Sequence, residues 1–233
     1  MILLDPVIIE KNTEKAFKLL AKNVQHSLQQ GKRVDSKSFY ASLMGLGDRF
    51  ELQGHRHIMN FKSANFAQDL VGKKEYNLAS IIYGILIKNN AHNPVLLEDF
   101  ARKALAAAKK AKDSIHSMAR ADDLNRLYRQ TEYGSDKHFR ALVEEKKALC
   151  KIVSNYDGAV KNYLTISRKP LPREHYEFML CGIKIEIAKI KMDSNPLLAI
   201  KELEGAQKIM RKYGYGTITQ RIKTLIDEAY AKL

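Results

Sequence analysis

The sequence predicts an all-α chain of antiparallel helical hairpins stacked as a solenoid, and three observations carry that expectation. Tyr76, Ala79 and Tyr83 recur 80 residues later as Tyr156, Ala159 and Tyr163, and a sparser set, Pro196, Ala199 and Leu203, follows 40 residues on. Fixed spacing of this kind marks stacked units that each need neighbours to cover an apolar side. Over 233 residues there are only 5 prolines and 12 glycines, too little punctuation for many short strands. Leu, Ala, Lys and Glu fill the periodic segments, and all rank high in helix propensity.

The elements follow in order. Residues 12–30 read as a helix with Ala16, Leu19, Leu20, Asn23 and Val24 near one side, capped by Asn12 or Thr13 and ended by Gly31. Ser36 or Ser38 caps a segment through Phe39, Leu43 and Leu46, where Gly45 and Gly47 predict a break. Residues 56–71 carry Ile58, Phe61, Asn65, Phe66 and Leu70, and Gly72 with Lys73 and Lys74 makes a turn. The helix over 76–88 is apolar on most sides, as an inner helix would be. Pro94 suits the first turn of the next helix, which runs through Phe100, Ala104 and Ala108.

Residues 113–130 form a more polar helix whose apolar side is Ile115, Met118, Leu124 and Leu127. The loop over 131–135 is the candidate joint of the array. Further helices are expected at 136–154, 156–167, 173–193, 196–213 and 217–232, divided by Pro170 and Pro172, by Asn195-Pro196, and by Tyr213 to Gly216. The helix over 173–193 carries two stripes, Tyr176, Met179, Ile183, Ile187 and Ile190 against Phe178, Cys181, Ile185 and Met192. Two stripes predict neighbours on two sides. Residues 1–55 are then an N-terminal helical cap and 56–233 the repeat array.

Composition narrows the function. The net charge is +14, and each third of the chain is basic, which favours acidic partners. Cys150 and Cys181 fall on apolar faces, as buried thiols of a reducing compartment do. The residues after Met1 lack the features of a signal peptide, and no apolar run approaches the roughly 18–20 residues of a membrane span. A cytoplasmic location is expected, with no membrane association.

No catalytic, metal or cofactor motif stands out. His55 and His57 are two apart and point to different sides of a helix, and the other histidines are scattered singly and read as surface or interface residues. Gly45-Leu-Gly47 and Gly214-Tyr-Gly216 lack the Lys-Ser/Thr tail of a phosphate loop. Glu144 and Glu145 read as helix-surface charges. The chain is expected to be no enzyme and to need no cofactor.

The segment from Gly72 to Pro94 resembles a tetratricopeptide repeat. Ala67 matches the position of close helix approach, Tyr76 and Tyr83 the two aromatics, Ala79 the alanine between them, and Pro94 the closing proline. In the second copy Tyr156, Ala159, Tyr163 and Pro170 match; Lys147 stands where a small residue is expected, with Ala148 beside it. The third copy keeps Ala199 and Ala206 without the aromatics. The resemblance covers about 60–210. It implies an adaptor that binds a protein or peptide, an acidic one by charge, in a groove lined by the first helix of each hairpin. Carried across, the inward polar positions are Asn65, Gln68, Lys151, Lys184 and Lys191. The carboxylate clamp of chaperone-binding members is not met, because Glu144 and Glu145 fall where basic or amide groups belong.

The alternative is RNA or DNA bound through its phosphates. Arg102, Lys103, Lys109, Lys110 and Lys112 form a basic ridge, Lys73 and Lys74 extend it, and Arg168, Lys169 and Arg173 make a second cluster. No helix-turn-helix or zinc-finger signature accompanies them, and Asp99, Asp113, Asp122 and Asp123 interrupt the ridge.

Overall fold

The computed structural model describes residues 6–32, 34–52, 56–163 and 169–233, and among these every regular element is a helix. The chain divides into two compact units. One runs to Ala107, and the other takes Ala108–Tyr163 and Lys169–Leu233.

The first unit holds α1 (Pro6–Gln29), α2 (Ser36–Leu52), α3 (Arg56–Gly72), α4 (Tyr76–Asn89) and most of α5 (Pro94–Lys110). α1 begins before the expected cap, so Asn12 and Thr13 lie inside it; Pro6 opens the helix with its fixed φ. Asp35, not a serine, caps α2, accepting the Ser38 N–H at 2.9 Å and the Ser38 hydroxyl at 2.6 Å. α2 then runs unbroken through Gly45 and Gly47. The glycine penalty of about 1 kcal/mol each is outweighed by burying Phe39, Leu43 and Leu46, spaced four and three apart. Phe17 of α1 and Phe39 of α2 meet Phe66 of α3 edge to face at 6.2 and 6.3 Å. Ala67 and Ala79 are fully buried where α3 packs on α4, and α4 buries nine residues, as an inner helix must.

The turns after α3 and α5 place lysines, not glycines, in the left-handed region, Lys74 at φ 63° and Lys112 at φ 59°. The hydrogen bond from Asp113 N–H to Ala108 O at 3.0 Å closes the second of them.

The second unit comprises α6 (Ser114–Thr131), α7 (Asp136–Ser154), α8 (Tyr156–Asn162), α9 (Arg173–Lys191), α10 (Pro196–Lys212) and α11 (Gly216–Tyr230). Side-chain caps fix four starts: Asp113, Ser135, Asn155 and Asn195 accept the N–H of His116, His138, Gly158 and Leu198. α6 packs on α7, α7 on α9, α9 on α10 and α10 on α11. Glu177, Cys181 and Lys184 of α9 reach Lys212, Ala206 and Glu202 of α10, so these two helices run antiparallel.

The two stripes of α9 enter two cores. Tyr176, Ile183 and Ile187 join Leu142, Leu149 and Ile152; Cys181 and Met192 join Ala199, Leu203, Ala206, Ile222 and Ile226. α11 buries Ile222, Ile226 and Ala229 and exposes Gln220, Arg221, Lys223, Thr224, Asp227 and Glu228.

α8 departs from expectation. The helix stops at Asn162, and Tyr163 is extended with ψ 117°; residues 164–167 of the expected helix, and Arg168 of the second basic cluster, lie outside the described residues. Seven residues span about 10 Å, too little to pair along α7, so α7 packs mainly on α6 and α9.

Candidate functional site

α7 presents two opposite characters. Its inner side is His138, Leu142, Glu145, Leu149 and Ile152, spaced four and three apart and at most 2% exposed. Its outer side carries Arg140, Lys147 and Lys151, all exposed, with Val143 half-buried and Cys150 exposed beside them. Ala148, not Lys147, fills the close-packed position. The exposure of Cys150 corrects the expectation of two buried thiols; Cys181 alone is buried, its thiol 3.7 Å from the Ala206 carbonyl and pushed up by burial. Glu144 flanks the cationic row, accepting from Lys109 at 2.6 Å and Lys147 at 3.0 Å. Burial would raise its carboxyl, but the two ammonium groups hold it below the usual range.

The inner side holds a polar chain that sequence reasoning missed. The Gly134 N–H donates to His138 Nδ1 at 3.1 Å, which leaves the ring proton on Nε2. Nε2 lies 3.0 Å from Asn125 Oδ1, and Asn125 Nδ2 donates to Glu145 at 3.0 Å. Burial pushes the Glu145 carboxyl up to about 7; the carboxylates of Asp122 and Glu186 push the same way, while the Asn125 bond and Arg126 oppose. Burial also lowers His138, so the imidazole is neutral. Glu186 of α9 lies 3.6 Å from His138 Nε2 and receives both ends of the Arg129 guanidinium, one at 2.8 Å. Glu145 is therefore a core acceptor and not a surface charge, which corrects one half of the expected Glu144–Glu145 pair.

The positions proposed from sequence divide between the units. Asn65 and Gln68 are exposed on α3 in the first unit, in line with Phe61, which is 69% exposed and not on the apolar side. In the second unit Lys151 is exposed. Lys184 is committed to Glu202 at 2.9 Å, which also accepts from Lys146 at 2.5 Å, and the two ammonium groups outweigh burial to hold that carboxyl low. The lysine stem passes Gly205, where an added Cβ would lie 2.8 Å from its Nζ. Lys191 sits over the Phe139 ring at 4.3 Å, a cation–π contact worth about 0.5–1 kcal/mol.

The expected basic ridge is largely answered along its own helix. Arg102 pairs with Glu98 and Lys103 with Asp99, both at 2.7 Å. Lys109 bonds Glu144 of α7, so the structure joins one member of the nucleic-acid set to the row that contains Lys151. Lys110 and Lys112 are exposed at the end of α5. Arg173, from the second basic cluster, pairs with buried Glu177 at 3.2 Å.

Among the described residues no group of three or more His, Cys, Asp or Glu could hold a metal, and no helix is long and apolar enough to cross a membrane. No protein family matches the chain, and no curated protein or solved structure matches it either.

Proposed function

We propose that this chain is a non-enzymatic adaptor, a tetratricopeptide-like stack of helical hairpins that binds a protein or peptide partner. The observation that carries the reading is α9, which buries two sides in two hydrophobic clusters, bridged by Ile209, while α10 and α11 continue the row. An element of a globular bundle has one core to face; an element inside a stack has two. Alanines at the contacts, Ala79, Ala199 and Ala206, and the polar outer side of α11 fit the same architecture. The buried carboxylates Glu177, Glu186 and Glu202 are spent on holding helices together, which leaves the exposed surface of the second unit basic and suited to an acidic partner.

A second reading, RNA or DNA bound through phosphates, draws on the basic ridge of Arg102, Lys103, Lys109, Lys110 and Lys112, whose last three members are exposed at the end of α5. Affinity capture from the source cell, with and without nuclease, separates the two. Polypeptides that stay bound after nuclease support the adaptor. Their loss, with purified protein retaining nucleic acid at moderate salt, would sink it, and turnover of a substrate by the purified chain would refute the non-enzymatic part.

A further inference from the structure

We infer that the outer side of α7 is a docking surface for an acidic polypeptide segment, a statement that rests on the adaptor reading and gives it a location. Arg140, Lys147 and Lys151 are spaced seven and four residues apart, so they form one row about 16 Å long at 1.5 Å per residue. The side chains of Arg140 and Lys151 have no hydrogen-bond or ion-pair partner among the described residues. Among the described residues the Lys147 ammonium pairs only with Glu144, at 3.0 Å, and its side chain is 62% exposed. An exposed pair of this kind contributes less than about 1 kcal/mol and exchanges readily for a better one. Val143 and Cys150 lie alongside the row and offer contact to the methylenes of an incoming side chain.

The pattern of charge selects the partner. Glu144 stands between Arg140 and Lys147 on the same side of the helix, four residues after one and three before the other. A polynucleotide repeats one negative charge at every step and must set a phosphate near that carboxylate. A polypeptide varies its side chains, so it can oppose acids to Arg140, Lys147 and Lys151 and leave a neutral residue facing Glu144. The row also lacks an exposed aromatic on which a base could stack. Both features favour carboxylates on a peptide over phosphates on a nucleic acid.

The test uses the full chain with two fluorescent probes, a glutamate–alanine peptide and a single-stranded oligonucleotide of equal net charge, read by polarisation. Arg140→Glu with Lys151→Glu is compared with Lys201→Glu with Lys208→Glu, a pair equally exposed on α10; circular dichroism checks that both fold. The α7 pair should weaken peptide binding by about tenfold or more and the α10 pair by less than about twofold, with the oligonucleotide the weaker ligand. Equal losses from both pairs, tighter oligonucleotide binding, or no peptide binding at physiological salt would overturn the assignment. Should nuclease-resistant polypeptide capture survive unchanged in the α7 variant, the surface is wrong while the adaptor reading stands.

Discussion

Replacing Glu145 with glutamine should make the second unit more stable at pH 8 than at present, although it removes a buried, hydrogen-bonded side chain. The residue is 2% exposed, and burial pushes its carboxyl up to about 7, against an ordinary 4.5. At 1.36 kcal/mol per pH unit, that gap is about 3 kcal/mol. Its sign follows from the raised value. Below pH 4.5 the group is protonated in both folded and unfolded chains and contributes nothing; between 4.5 and 7 the unfolded chain releases a proton that the folded chain keeps. Stability is therefore lost as pH rises through that window, and the full loss is present above it. Glutamine cannot ionise, and its carbonyl still accepts from Asn125 Nδ2. The variant should match the parent near pH 4 and exceed it by up to about 3 kcal/mol at pH 8, a rise of roughly 6–12 °C in melting for a chain of this size. Urea unfolding between pH 4 and 8, with hydrogen exchange of the α6 and α7 amides, measures it. Parallel pH profiles for the two proteins, or a less stable variant at pH 8, would refute the reasoning.

Other substitutions probe the packing and the charge pairs. Ala79→Leu and Ala159→Leu should each destabilise by about 1–3 kcal/mol through overpacking, since both alanines are buried; unchanged melting for both would remove them from the helix contacts. Lys112→Gly should stabilise by about 1 kcal/mol, because a side chain at φ 59° is held in the left-handed region; calorimetry that shows no gain would put that turn elsewhere. Lys184→Met leaves Glu202 with Lys146 alone. The depressed Glu202 carboxyl stabilises above its ordinary value and loses that contribution as pH falls through the lowered one, so acid unfolding of the variant should begin at higher pH. An unshifted acid transition would mean that the second ammonium group is idle.

Much of the fold could be read from period alone, and the errors on α7 and α3 share a cause. The paired stripes of α9 were legible because apolar residues marked both sides. On α7 the same period of four and three runs through positions 138, 142, 145, 149 and 152, but two of its members are His138 and Glu145, and their residue types suggested a surface. Position in the stripe decided their burial, and Asn125 made it tolerable. Phe61 runs in the opposite sense. The buried line on α3 is Met59, Ser63, Phe66 and Leu70, which leaves residue 61 facing water despite its ring. The early end of α8 had no comparable signal, because Gly158 and Tyr163 also occur in longer helices. Of the candidate site, Lys151 was named from sequence, while Arg140 emerged only once the inner side of α7 was known. The pairing of Lys109 with Glu144 joins residues 35 apart, and no local pattern encodes it.

The main-chain N–H of Gly134 stands at one end of a chain of donors and acceptors that runs from a turn into the interior. Because an amide can only give its proton, it sets the direction of every later link, fixing the tautomer of one ring and the orientation of one carboxamide. Reversal would demand that the loop let go first. The solvent exchange rate of that one hydrogen should consequently serve as a gauge of how often the turn releases the ring.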